Sequence, residues 1–240
     1  MKSDWVTARI AAALFITATV ASLLSTGFLN PVLNGSDYLD KTFVHQDRVI
    51  VGAFLLLIAA FASASIAITL YPVLRRHAEG LALGAACFRV MEGVLYLVSA
   101  IAALLLVTLS QEFAKAGSPA SSYFQTTGTL LRALRDQTSL TGVLAFYLGA
   151  LMYYYIFFRS GLIPRWLSGW GLVGAGMGLI ACVLVLFRVF GFMSSPQVVL
   201  NLPIGVNEIA LAVWLILVGF SSAPVAPSPE ARPHATIPGR

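Results

Sequence analysis

Three ionisable side chains lie inside otherwise apolar stretches of the sequence, where they could form a site. Arg89 and Glu92 are three residues apart in "FRVMEGVLYL", and Glu208 follows Asn207 in "LPIGVNEIALAVWLILVGF". A guanidinium donates several hydrogen bonds and a carboxylate accepts them, so the set can form ion pairs or bind a charged group. A carboxylate that exchanges a proton could also act as a general acid or base.

The other reactive residue types do not form a catalytic or metal-binding pattern. Cys87 and Cys182 have no CxxC or Cys/His spacing, and His45, His77 and His234 are too far apart to share a metal or a haem. No GxSxG, Walker or GxGxxG motif precedes a suitable helix. We therefore assign no catalytic residue, no metal ligand and no cofactor.

Composition indicates a membrane protein. Hydrophobic residues make up 58% of the chain and charged residues 10%, against roughly 45–50% and about 25% in soluble domains. No basic run interleaved with aromatic residues suggests a nucleic-acid partner. The expected partner is the lipid bilayer, and nothing in the sequence indicates an oligomeric state.

Six apolar blocks are long enough to cross a bilayer, which needs about 20 helical residues. Backbone groups in lipid must be satisfied within each segment, so we predict an all-α bundle of six transmembrane helices over residues 1–220. Residues 221–240 contain five prolines and almost no large apolar side chains, which predicts a disordered tail. The blocks are Val6–Leu29, Val49–Leu74, Leu81–Leu109, Leu140–Phe158, Leu167–Phe190 and Val198–Phe220.

The segment "SPASSYFQTTGTLLRALRDQ", residues 118–137, is amphipathic. Ser118 can cap a helix, Pro119 suits its first position, and apolar residues then recur at three- and four-residue spacing. We predict an outer interfacial helix that either covers the ends of the bundle or gates a cavity. In both cases Arg132 and Arg135 would lie among lipid head groups or in water.

Basic residues near the spans indicate the orientation. With the N-terminus inside, eight Lys and Arg residues lie on the cytoplasmic side and six on the other. The turn "RRH", residues 75–77, is basic, whereas the loop "NGSDYLDKTFVHQD", residues 34–47, is acidic. We expect both termini to be cytoplasmic.

Two further patterns concern packing. On the fifth span, Gly171 with Ala175 and Gly174 with Gly178 would let another helix approach closely. The stretch "MYYYIFFR", residues 152–159, is typical of an aromatic belt at the membrane interface.

The embedded charges fall at similar depths. A rise of about 1.5 Å per residue places Glu92 about 16 Å from the end of its span at Leu81, and Glu208 roughly 18 Å from the end at Phe220. An unpaired charge near the bilayer centre costs about 2.5–3.5 kcal/mol, so these side chains should face the bundle interior. With Arg89 the set sums to one negative charge, which a proton or another cation would balance.

The expected ligand-binding residues extend from this centre. Tyr96 lies on the same helical face as Glu92, and Asn207 is beside Glu208. We also expect Tyr71 and Trp214 to reach the centre. The expected ligand-binding residues are Arg89, Glu92, Glu208, Asn207, Tyr96, Tyr71 and Trp214.

Three functions fit these residues. The leading hypothesis is binding or transport of a small or amphiphilic molecule at the midplane site. A second is an interaction or sensory module in which the Arg/Glu cluster only joins helices. A third is an intramembrane enzyme that uses a buried Glu as general acid or base.

Four stretches carry a resemblance to a known family: "TARIAAALFI", "YPVLRRHAEGLALGAACFRVMEG", "RSGLIPRWLSGWGLVGA" and "LPIGVNEIALAVWLILVGF". In this order and spacing the chain, from Thr7 to Phe220, resembles the bacterial membrane-protein family catalogued as domain of unknown function 4386. The resemblance implies a bacterial cytoplasmic-membrane protein with about six spans. It implies no activity.

Overall fold

A computed structural model describes residues 2–116, 121–192 and 194–221, and the part of the chain that it describes is helical without strands. Six of the seven helices are long and apolar enough to cross a membrane, which confirms the predicted all-α, six-span fold. Residues 222–240 of the proline-rich tail, together with Ser118 and Pro119, lie outside the described residues. The helices are α1 (Lys2–Leu33), α2 (Tyr38–Val44), α3 (Gln46–Leu74), α4 (Glu79–Ala116), α5 (Ser121–Ser160), α6 (Arg165–Leu186) and α7 (Ser195–Leu217).

The amphipathic segment does not form a separate interfacial helix. It is the first part of α5, which runs unbroken into the fourth span. No proline interrupts residues 121–160, so an unbroken helix satisfies every backbone group without a break in the hydrogen-bond ladder. The short helix α2 packs against this part of α5, where the Tyr38 hydroxyl donates to the Gln125 carbonyl at 3.1 Å.

The helix ends also differ from the apolar blocks. The helix α4 continues seven residues beyond the expected end at Leu109, to Ala116. The helix α6 ends at Leu186 instead of Phe190. There Arg188 takes a positive φ of 58°, a left-handed conformation that stops the helix.

The spans form a ring, because each long helix contacts the next and α7 contacts α1. Both described chain ends lie on one face, which we call the terminal face. There Arg76 pairs with Asp4 at 3.2 Å, and the Ser221 amide donates to the Leu162 carbonyl at 2.9 Å. The opposite face, formed by residues 34–45 and 187–192, is called the loop face.

Two glycines allow close helix contacts. A Cβ on Gly93 of α4 would lie 2.8 Å from the carbonyl oxygen of Ala60 in α3, which is too close for any side chain. A Cβ on Gly174 of α6 would lie 3.0 Å from the backbone nitrogen of Ile204 in α7. The close approach of a helix at Gly174 is therefore confirmed.

The remaining small residues of α6 accommodate aromatic rings. The rings of Tyr154 and Tyr147 from α5 lie directly against Gly171 and Gly178. Tyr153, Tyr154 and their neighbour Phe157 are fully buried. The predicted aromatic belt is thus wrong for these residues, because they fill the bundle core.

Replacing Gly93 tests the α3–α4 contact. The substitution Gly93→Ala should destabilise the protein by about 1–3 kcal/mol, because the new methyl group collides with backbone that cannot move aside. Thermal unfolding in detergent micelles, followed by far-UV circular dichroism, measures this. The control Gly176→Ala puts a methyl group in open space on α6 and should leave Tm unchanged or raise it. Equal Tm values for the two variants would contradict the packing described.

Candidate functional site

The centre of the candidate site is a buried ion pair within α4. Arg89 and Glu92 are three residues apart on one helical face, and Arg89 Nη1 lies 3.0 Å from Glu92 Oε2. Their exposed fractions are only 3% and 5%. Breaking such a pair would leave an uncompensated charge, so the two side chains hold each other in place.

Neighbouring helices supply the remaining partners of the pair. Ser63 of α3 donates its hydroxyl proton to Glu92 Oε2 at 2.7 Å. The Arg89 guanidinium lies 4.9 Å from the ring centroid of Phe146 in α5 and 5.8 Å from that of Phe15 in α1. Aromatic faces stabilise a desolvated cation, so the pair is fixed by contacts with three other helices.

Glu208 of α7 belongs to the same interior. The Thr19 hydroxyl of α1 donates to Glu208 Oε2 at 3.2 Å, and Glu208 lines the same cavity as Arg89 and Glu92. The other oxygen, Oε1, is buried and makes no hydrogen bond with any described residue. One guanidinium and two carboxylates therefore share a low-dielectric interior, with one negative charge in excess when all are ionised.

A cavity of about 280 Å³ leads from these charges towards the loop face. Its midplane end is formed by Arg89, Glu92 and Glu208, and its loop-face end by Asn30, Arg135 and Phe192. Thr19 and Asn30 lie near the two ends on α1, and the eleven helical steps from one to the other span about 16 Å. The lining thus extends over about three turns of α1, so the cavity is elongated along this helix.

Polar side chains follow the length of the cavity on two helices. On α1 they are Thr19, Ser22, Thr26 and Asn30, and on α7 they are Gln197, Asn201 and Glu208. Their spacing of three, four or seven residues places each set on one helical face. This stripe was missed at the level of sequence, where the Thr and Ser residues of the first span are ordinary members of an apolar block. The three- and four-residue spacing was the signal.

Packed aromatic and aliphatic side chains separate the midplane end from the terminal face. Phe15, Tyr153 and Phe157 belong to one buried cluster, together with Leu211 and Leu215 of α7. The ring of Tyr153 contacts those of Phe15 and Phe157 edge-on, with centroids 6.2 Å and 6.0 Å apart. The cavity thus extends from the charged centre in one direction, towards the loop face.

The structure brings together four of the expected ligand-binding residues and leaves three elsewhere. Arg89, Glu92, Glu208 and Tyr96 line the cavity. Asn207 instead donates to the Leu167 carbonyl of α6 at 3.0 Å, because consecutive residues of a helix point about 100° apart.

Tyr71 and Trp214 are not among the residues that line this cavity. Tyr71 lies near the terminal face, with its ring 5.8 Å from the Arg75 guanidinium. Trp214 packs against the core cluster. The expectation that these two side chains reach the charged centre is not met by their positions.

Arg135 is also placed differently from its expected position among head groups or water. It is only 7% exposed and lines the loop-face end of the cavity. Its guanidinium donates to Asp136 Oδ1 and Asn30 Oδ1, each at 3.0 Å, while the Ser99 hydroxyl binds its backbone carbonyl at 3.1 Å. The unbroken course of α5 carries Arg135 into the bundle, so the physical reason is the absence of the expected surface helix.

Within residues 2–116, 121–192 and 194–221, no group of three His, Cys, Asp or Glu side chains is arranged to hold a metal ion. Two of the hydroxyl groups that line the cavity already donate hydrogen bonds to backbone carbonyls. Ser25 donates to the Gly52 carbonyl at 2.8 Å, and Thr26 donates to the Ser22 carbonyl at 3.0 Å. What the cavity offers a ligand is hydrogen bonds, charge and apolar surface.

Comparison with known proteins gives one family. The family described as "Domain of unknown function (DUF4386)" matches residues 10–219, which is most of the chain. No curated protein and no solved structure matches.

The Arg89–Glu92 pair makes a testable prediction about stability. The substitution Arg89→Met should destabilise the protein by about 3–5 kcal/mol because it strands a buried carboxylate, and adding Glu92→Leu should recover most of the loss. Thermal unfolding in detergent micelles measures both. The exposed pair of Lys115 and Glu112 provides the control, since Lys115→Met should cost only about 0–1 kcal/mol. An Arg89→Met variant as stable as Lys115→Met would refute the pairing.

Proposed function

We propose that this chain, which belongs to the DUF4386 family, binds an elongated amphiphilic molecule in its cavity, with a cationic head group at Glu208. One observation carries the proposal: the midplane end of the cavity has two carboxylates, one guanidinium and a carboxylate oxygen without a hydrogen-bond partner in the described residues. A buried oxygen of this kind is costly until it accepts a hydrogen bond. A ligand ammonium supplies both the bond and the missing positive charge.

The cavity walls favour a chain over a compact polar solute. Apolar side chains alternate with the polar stripes, among them Leu29, Leu56, Val143 and Phe146. Leu23 lines the cavity and is 69% exposed on the lipid-facing side of α1. An amphiphile can therefore reach the cavity from the bilayer beside α1.

The orientation of the chain belongs to the same proposal. We place the protein in the bacterial cytoplasmic membrane with the terminal face in the cytoplasm. The positive-inside rule supports this orientation, because Arg75, Arg76, Arg159 and Arg165 flank the turns of that face. In this orientation a ligand enters the cavity from the outer leaflet and binds near the membrane centre. The cavity would then form the first half of a transport path.

Dodecylamine is the probe for the proposed head-group site. The substitution Glu208→Gln keeps the size of the side chain but removes the charge, and a hydrogen bond to a charged group contributes about 1.5–3 kcal/mol. We expect affinity for dodecylamine to fall roughly tenfold to hundredfold. Native mass spectrometry of the purified protein gives both stoichiometry and affinity, with uncharged dodecanol as the comparison ligand.

The matched control is Glu112→Gln, the same change at an exposed glutamate near the loop-face end of α4. It should leave dodecylamine binding within about twofold of the unsubstituted protein, because an exposed charge is screened. Equal binding by the Glu208→Gln and Glu112→Gln variants would overturn the proposal. It would favour an interaction module in which the charged cluster only joins helices.

A further inference from the structure

We infer that the cavity has a second recognition site, in which Arg135 binds an anionic group at the loop-face end. The ligand is then an amphoteric chain, with an ammonium at Glu208 and a carboxylate or a similar anion at Arg135. This inference rests on the proposed function and adds the chemistry of the other end of the same ligand. It also specifies the length of the molecule.

Arg135 is built into the cavity wall. It is 7% exposed, lines the cavity and uses only two of its nitrogens in hydrogen bonds to described residues, Nη1 to Asp136 and Nη2 to Asn30. Its Nε is buried without a partner among those residues. A guanidinium has five N–H donors in a fork that fits two oxygens of a carboxylate or phosphate. An anionic group entering the cavity meets a donor set with unused capacity.

The present anionic partner of Arg135 is replaceable. The side chain of Asp136 is 37% exposed, against 9% for that of Arg135, and Asp136 is not among the residues that line the cavity. This pair is therefore less desolvated than the pair of Arg89 and Glu92, whose side chains are 3% and 6% exposed. A ligand carboxylate inside the cavity can share the guanidinium while Asp136 turns towards solvent.

The two ends of the cavity carry opposite charge. Among the charged side chains that line the cavity, Arg135 lies at the loop-face end, and Arg89, Glu92 and Glu208 lie at the midplane end. The lining charge is therefore one positive at the loop-face end, whereas the three residues at the midplane end sum to one negative charge. A molecule lying along the cavity is favoured when its own two ends have the complementary signs, and it is disfavoured when it is reversed.

The distance between the two sites can be estimated along α1, because one residue of this helix is bonded to the charged side chain at each site. Thr19 donates to Glu208, and Asn30 accepts from Arg135. The eleven helical steps from Thr19 to Asn30 correspond to about 16 Å along the helix axis. An extended chain of about twelve carbon atoms with an ammonium and a carboxylate at its ends has about this length, because each bond near 1.5 Å advances about 1.25 Å along a zigzag.

Three chains of equal length test the inference: dodecylamine, dodecanoic acid and ω-aminododecanoic acid. Each is titrated against the full-length protein and the variants Glu208→Gln and Arg135→Gln, with native mass spectrometry as the readout. We expect Arg135→Gln to lower the affinity for dodecanoic acid and ω-aminododecanoic acid about tenfold or more. The affinity for dodecylamine should stay within about twofold of that of the unsubstituted protein. Glu208→Gln should instead lower the affinity for dodecylamine and ω-aminododecanoic acid.

Two further variants keep the test decisive. Arg132→Gln is the matched control, because its guanidinium binds the Gly35 carbonyl and stacks on Tyr38 outside the cavity, and it should change no affinity. Asp136→Asn releases Nη1 of Arg135 and should strengthen dodecanoic acid binding severalfold, which tests the site even if Arg135→Gln fails to fold.

The possible failures are distinguishable. If Arg135→Gln weakens all three chains equally, Arg135 is structural and the second site is refuted, while the amine site stands. If Glu208→Gln leaves the affinity for dodecylamine unchanged, the proposed function itself is refuted.

Discussion

The cost of placing charge in a low-dielectric interior determines the arrangement of this protein. Arg89 and Glu92 can occupy the middle of the bundle because each neutralises the other at 3.0 Å, Ser63 donates to Glu92 and the ring of Phe146 lies beside the guanidinium. These contacts draw α3 and α5 onto α4. The close approach at Gly93 follows from the same demand, since Ser63 reaches Glu92 only where α3 and α4 lie nearly in backbone contact.

Glu208 places a third ionisable group in the charged centre. It adds a second carboxylate from α7, bonded to α1 through Thr19, and it does so where the packed core gives way to an elongated cavity. The bundle is therefore packed with aromatic side chains on the terminal-face side of the charged centre and has a cavity lined by polar stripes on the loop-face side. In the function proposed above, this carboxylate is the group that a ligand reaches, and functional ionisable residues in membrane spans commonly face such cavities.

Sequence reasoning predicted those features that depend on depth and hydropathy. The six spans and the meeting of Arg89, Glu92 and Glu208 follow from apolar length and a rise per residue. What it could not supply is rotation about each helix axis. Asn207 is adjacent to Glu208 yet faces α6, and Arg135 lies inside the bundle because α5 does not break where amphipathicity suggested. Both depend on how neighbouring helices pack, and one span's pattern does not contain that information.

The most direct measurement of the central claim is the chemical accessibility of position 208 relative to position 207. In a background of Cys87→Ser and Cys182→Ala, the variants Glu208→Cys and Asn207→Cys are exposed to a small cationic thiol reagent, methanethiosulfonate ethylammonium, from the loop-face side of reconstituted vesicles. The account predicts that Glu208→Cys is modified and that Asn207→Cys, which faces α6, is not. Equal modification of the two, or protection of Glu208→Cys alone, would contradict a cavity that leads to the charged centre.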